Sequence, residues 1–483
     1  MKKVVPLFGS GTLGKSSNVT AQRRINLYAE PFPDPDKTPK AFYPRPGLRR
    51  VGFGIRSPSS SGDPPFGPFR GMLVNVSIST GNEVVYAAVG NTYWLGVSPN
   101  GYISVSILQT NEGPVQISAN GGSQVMAVDG YKAYALLPLL GEFSSGGITN
   151  FPDGARSVCF LAGRFIVDDP ATAGKFRWSG LNDITDWDPL NFATAESSPD
   201  PLMQVFERGG EVLLFGTRTL EAWAPTGTAT VFERVGGSGI DWGLAVFDSV
   251  RKANSSVLFL GRNLGGQPQV CQLDGYQIRV VSNPDVEHNI NAALEAGAYI
   301  TASVVTFAGH TWYIVNLTDT SYAYDLTTGL WDEWQTEGAR WAGQYTSQYR
   351  NTAIVTDYRD GRVYYLDADR YTDDTAPIVR EITTRHVFSD FDNLTLSDLQ
   401  LDAEVGVGLS SGQGSDPQIM LQISKDGGHT FGNELWRSLG ALGEYKKRVT
   451  WKRLGVAEDW TFRFRAADPV KVVLLNVAAE FSR

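Results

Sequence analysis

Ser157-Val-Cys-Phe-Leu161, the turn Gly163-Arg164, Phe165-Ile-Val167 and Lys175-Phe-Arg-Trp178 set out a pattern that the next residues repeat. The second copy runs Leu202-Met-Gln-Val-Phe206, Gly209-Gly210, Val212-Leu-Leu-Phe215, Leu220-Glu-Ala-Trp223 and Pro225-Thr-Gly227. Each apolar run is too short for a helix and rich in β-branched or aromatic residues, and each is cut by a glycine turn, so each reads as a strand. Two antiparallel meanders in tandem predict an array.

Working outward, the meander recurs with starts near Arg70, Val115, Ser157, Leu202, Leu244, Ile300 and Trp341. A period of about 40 to 45 residues matches the four short strands of a propeller blade. The last unit, Trp341 to Asp367, offers three clear strands, so six or seven blades are expected and the final one must be completed from elsewhere. The long step before Ile300 has a local cause. Asn283 before Pro284 starts a helix, Ile290, Ala293 and Leu294 lie on one face of it, and Gly297 stops it, which predicts one inserted helix near 284–296.

The Ser/Pro-rich stretch Ser57 to Pro68 and the charged stretch Asp367 to Ala376 mark boundaries. They divide the chain into an extended arm and linker at 1–68, a propeller at 69–367 and a third unit at 368–483. Six alternating runs in the last part, from Ile378 to Val477, describe a β-sandwich. The expected fold is all-β.

Composition agrees with an all-β protein full of tight turns: 52 glycines, 12 tryptophans and 19 tyrosines, with 19% charged residues. The net charge of −9 argues against a chain whose main task is gripping phosphates. Cys159 and Cys271 lie in apolar runs and read as inert core thiols. No apolar run approaches the ~20 residues of a membrane span, and Met1 to Phe8 is too short for the core of a secretion signal, so assembly in a cytoplasm without membrane insertion is expected.

Gly9 to Ser16 satisfies the phosphate-loop pattern G-x-x-x-x-G-K-[ST], but only Ser17 to Tyr28 could form a helix before Pro31, Pro33 and Pro35, and nothing downstream alternates strand with helix. It reads as a chance match in an extended arm. The four histidines, His288, His310, His386 and His429, share no metal-ligand spacing, and no G-x-S-x-G elbow occurs. Ser424-Lys-Asp426-Gly-Gly428-His-Thr430-Phe431 matches the Asp-box hairpin of sialidase-like propellers, a folding device whose side chains bond its own turn. Neither a cofactor nor a catalytic centre is expected. The sharpest site candidate is basic: Lys446, Lys447, Arg448, Lys452, Arg453, Arg463 and Arg465. Alternation puts Arg463 and Arg465 on one sheet face, opposite Phe462 and Phe464. Such a cluster is either a solvated face or an interface with an acidic protein surface.

Arg24-Ile-Asn-Leu-Tyr-Ala-Glu30, Pro46-Gly47-Leu48, Trp178-Ser-Gly-Leu-Asn182, Glu221-Ala-Trp223, Val281-Ser-Asn-Pro-Asp-Val-Glu287 and Trp451-Lys-Arg-Leu-Gly455 occur in an order that resembles the tail-nozzle, or tail-hub, proteins of short-tailed bacteriophages. This family includes the packaged-DNA stabilisation proteins. The resemblance implies a virion structural protein without enzymatic activity. It implies a homo-hexamer below the portal and adaptor rings, closing the tail and later passing double-stranded DNA. Tail fibre, spike or needle proteins are candidate further partners, but the resemblance does not carry over their attachment, since Ser57 to Pro68 and Gly141 to Pro152 have no counterpart in it; the basic cluster becomes a subunit or adaptor interface. The alternative from the residues alone is a glycan-binding propeller or glycosidase.

Overall fold

A computed structural model of the chain describes residues 3–5, 11, 15–32, 39–51, 67–76, 81, 83–97, 101–122, 124–137, 142–144, 148–389 and 392–482. Of the phosphate-loop match only Gly11, Lys15 and Ser16 fall among them, and the linker is described only from Gly67.

Seven four-stranded blades build the propeller. Their first strands are Phe69–Val76, Gln116–Ala119, Val158–Leu161, Leu202–Arg208, Trp242–Leu244, Thr301–Phe307 and Gly343–Tyr349. In blade five the first strand is broken: Trp242–Leu244 and Arg251–Ala253 both pair with Ser256–Asn263. Blade seven has three sequential strands and takes its fourth from the arm, Gly47–Arg50, which pairs antiparallel with Val363–Asp367. The expectation of six or seven blades therefore resolves to seven.

Each pair of neighbouring blades shares one apolar core because every strand alternates its side chains between its two neighbours. Ring closure rests on the core between blades seven and one, where Tyr345, Tyr349 and Ile354 meet Val51, Phe69 and Val85. Between blades five and six the core also takes in Val286 and Ile290 of the one helix among the described residues, Pro284–Glu295. That helix starts as its residues dictate. Asn283 accepts hydrogen bonds from the amides of Asp285 and Val286 at 3.2 and 2.9 Å, proline occupies the first turn, and Gly297 follows at φ +72°.

The C-terminal part is a two-sheet sandwich around Leu396, Leu399, Trp451, Trp460, Phe462, Phe464 and Val477. One sheet runs Leu27–Pro31, Lys40–Pro44, Leu474–Ser482, Leu394–Ala403, Val449–Ala457. The other runs Arg380–Thr383, Asp459–Ala466, Gln418–Ser424, Leu435–Ser438. This second sheet is continuous with blade six, because the arm strand Arg23–Ile25 lies between Leu330–Thr336 and Arg380–Thr383. The arm thus completes blade seven, extends a sandwich sheet and bridges the two units.

Candidate functional site

Three buried arm residues hold this junction. Arg45, with no exposed surface, donates to Asn26 Oδ1 at 2.7 Å, to the carbonyls of Pro46 and Gln335 at 2.9 and 2.8 Å, and to both carboxylate oxygens of Asp373 at 3.0 and 2.6 Å. Its guanidinium also lies 5.7 Å from the ring centre of Trp334, which packs edge-on against Trp341 at 5.2 Å. A planar fork with five donors suits such a ring of acceptors, which a lysine could not reach. Asn26 sits at φ +55°, a conformation asparagine tolerates. Its amide donates to the Gln335 and Val379 carbonyls at 3.0 and 2.8 Å, and its oxygen accepts from the Gln335 amide at 2.8 Å. Arg24 pairs with Asp332. Burial raises the Asp332 carboxyl to about 6, although Arg24 opposes the shift.

His310 of blade six adds a fourth tie. Its Nδ1 lies 2.8 Å from Asp325 Oδ2 and its Nε2 lies 2.9 Å from Glu30 Oε2 of the arm. Burial alone would lower the imidazole pKa, but the bonds to Glu30 and Asp325 outweigh it and raise it.

The predicted basic cluster does not form one patch. Val449–Ala457 and Asp459–Ala466 belong to different sheets, so Lys446, Lys447, Arg448, Lys452 and Arg453 stand apart from Arg463 and Arg465. Phe462 and Phe464 point into the core and the two arginines outward, as alternation requires. Both arginines are neutralised within the chain. Glu381 lies 3.5 Å from Arg463 and 3.2 Å from Arg465, and Glu434 lies 3.5 Å from Arg465. Together with Arg23, which forks onto Glu333, they make an ion ladder across the propeller–sandwich junction. The other five are exposed; Lys447 pairs with Glu444 at 3.4 Å, whereas Lys446, Arg448, Lys452 and Arg453 have no partner among the described residues.

The other motifs resolve into structure. Asp426 of the Asp-box accepts from Ser424 Oγ and the Thr430 amide at 2.7 and 2.9 Å, and bonds from Thr430 lower its pKa. Phe431 lies beneath Arg463 at 3.5 Å from ring centre to guanidinium. The turn also receives the arm: a side chain at Gly427 or Gly428 would collide with Asn18 or Ala21. His386 meets Asp459 at 2.7 Å through Nδ1, and its Nε2 donates to the Ser17 carbonyl at 2.8 Å, tying the arm to the sandwich. The Lys15 amide donates to Asp285 at 3.1 Å. Both cysteines are buried, which pushes the Cys159 thiol up and that of Cys271 up to about 12. Among the described residues no group of three His, Cys, Asp or Glu is placed to hold a metal, and no helix is long and apolar enough to cross a membrane.

The junction was the part sequence reasoning missed. Its trace is an arginine between two prolines in an apolar arm, Tyr43-Pro-Arg45-Pro, with an aspartate, Asp373, in the distant charged boundary.

Two family models match the chain in succession: the β-propeller of bacteriophage P22 Gp10 over residues 61–371 and the β-sandwich of the same protein over 379–482. The tail hub protein gp10 of Salmonella phage P22 is 22% identical over 414 residues, covering 80% of this chain and 82% of that protein. Among solved structures, the Cps50 (Swd1) propeller of Myceliophteria thermophila aligns at 12% identity and TM-score 0.42, over 66% of this chain and 98% of that one. The Pan2 WD40 domain of Neurospora crassa aligns at 12% identity and TM-score 0.42, over 67% and 95%.

Proposed function

The chain belongs to the phage P22 Gp10 family of tail hub proteins, and from that premise we propose that six copies form the nozzle that closes the tail and later conducts DNA. It is a structural protein of the virion tail, not an enzyme. The observation that carries this reading is the succession of the two family domains, 61–371 and 379–482, along the chain.

In this reading residues 1–68 are the arm, 69–367 the propeller and 368–483 the platform. Buried ion pairs at the arm junction keep the two larger units from moving apart, a property suited to a part that holds back packaged DNA. The ring sits below the portal and adaptor, offers its outer surface to fibre, spike or needle proteins, and is assembled in the host cytoplasm. The charge of −9 per chain favours a net negative or mixed channel wall, which lets a duplex pass without being gripped. Lys446, Lys447, Arg448, Lys452 and Arg453 then serve subunit or adaptor contacts, while Arg463 and Arg465 serve the chain's own junction. A glycan-processing propeller is displaced as a reading by the likeness to a tail hub protein over most of the chain.

Light scattering on the purified protein tests the ring. A mass six times the 52.7 kDa of one chain is expected. A stable monomer across the accessible concentration range would overturn the proposal.

A further inference from the structure

A closed ring of more than two copies cannot use one patch against itself; each chain must present two different surfaces that complement each other. The fold offers such a pair. On the rim of blades three and four, Leu190, Phe192, Glu196 and Glu233 line an open groove of about 370 Å³, backed by Trp178, Trp223 and Phe232, which are at most 6% exposed. The surface around it is largely apolar and acidic; Lys175, stacked on Phe192 at 4.7 Å, is already paired with Asp169 at 3.0 Å. Leu190 is 80% and Phe192 44% exposed, and the adjoining loop exposes Asp183, Asp186 and Asp188. The arginine lining the groove, Arg234, is already taken by buried Glu221 at 3.2 Å. The carboxylates of Glu196 and Glu233 have no partner among the described residues.

On the sandwich, the loop before Val449–Ala457 shows the opposite character. Tyr445 is 71% and Leu442 62% exposed, and they lead into Lys446 and Arg448, exposed and unpaired among the described residues. The loop is braced from behind, Gly443 donating to the Gly406 carbonyl at 3.1 Å. A protruding aromatic flanked by free cations complements an apolar groove edge flanked by free carboxylates in both character and charge.

We infer that in the ring proposed above, on which this step rests, the 442–448 loop of one copy seats in the rim groove of the next. Tyr445 and Leu442 pack on the exposed Leu190 and Phe192, and Lys446 and Arg448 meet Glu196 and Glu233.

The test uses two full-length variants, Glu196→Lys/Glu233→Lys and Lys446→Glu/Arg448→Glu, with circular dichroism and melting to establish that each is folded. All four positions are exposed and make no side-chain bonds within the described chain, so folding should be unaffected. Each variant alone should fall from ring mass to single-chain mass. An equal mixture should regain the ring, because in an alternating ring every junction is either the native pair or the doubly reversed one. Tyr445→Ala should raise the concentration at which rings form at least tenfold. If wild type forms rings and the variants do so as well, the inference fails and the ring reading stands. The inference also fails if both variants are monomeric and mixing restores nothing, since the two surfaces then do not meet. A wild-type monomer overturns the ring and this inference together.

Discussion

Replacing Arg45 by alanine should unlock the arm. The substitution removes five hydrogen bonds in the core of the junction. It leaves Asp373, only 5% exposed, without its cation, and it strips two carbonyls and the Asn26 oxygen of a donor. Removing one partner of a buried ion pair costs about 4 kcal/mol, the stranded charge being the larger part. If that loss falls on local release of residues 23–50, the opening equilibrium rises roughly a thousandfold, at about 1.4 kcal/mol per factor of ten. Native-state hydrogen exchange reads this directly, because the amides of Arg23–Ile25 and Gly47–Arg50 are paired in strands. Arg45→Lys should fall between, since it keeps the charge but loses the fork. Exchange in both arm strands within tenfold of wild type would refute the reasoning that Arg45 locks the junction.

Other consequences are open to measurement. Leu48 is fully buried in the strand that closes blade seven, so Leu48→Ala should cost about 2 to 5 kcal/mol, seen as an earlier thermal transition. The raised His310 pKa gives the arm a stabilising contribution that is complete below the ordinary imidazole value and lost as pH rises through the folded value. Proteolytic clipping of the arm should therefore quicken as pH rises through and above neutrality, and His310→Gln should flatten that dependence. Arg465→Glu sets a third carboxylate beside Glu381 and Glu434, so a loss of about 2 kcal/mol in chemical denaturation is expected, part of the buried-pair cost being screened because Arg465 is 35% exposed.

Most of the propeller is legible in the sequence because each blade is a local meander whose hairpins lie within one repeat. The seven expected starts fall within two residues of the observed first strands, and the helix starts at Pro284 as Asn283 predicts. What escaped is non-local. Leu48 pairs with Leu366, and Ile25 bridges Glu333 and Glu381, contacts that no local periodicity encodes. The same limit explains the basic cluster. Arg453 and Arg463 are close in sequence, but the chain passes from one sandwich sheet to the other at Glu458, and alternation says which face a residue takes without saying which sheet carries it. Arg45 escaped because a buried arginine looks like an exposed one until its acceptors are assembled around it.

Quantitative mass spectrometry of purified phage particles, calibrated against a tail or capsid component of known copy number, tests the central claim most directly. Six copies of this chain per particle are predicted. Particles that lack the chain, with all of it recovered free in the lysate, would contradict the assignment to the tail.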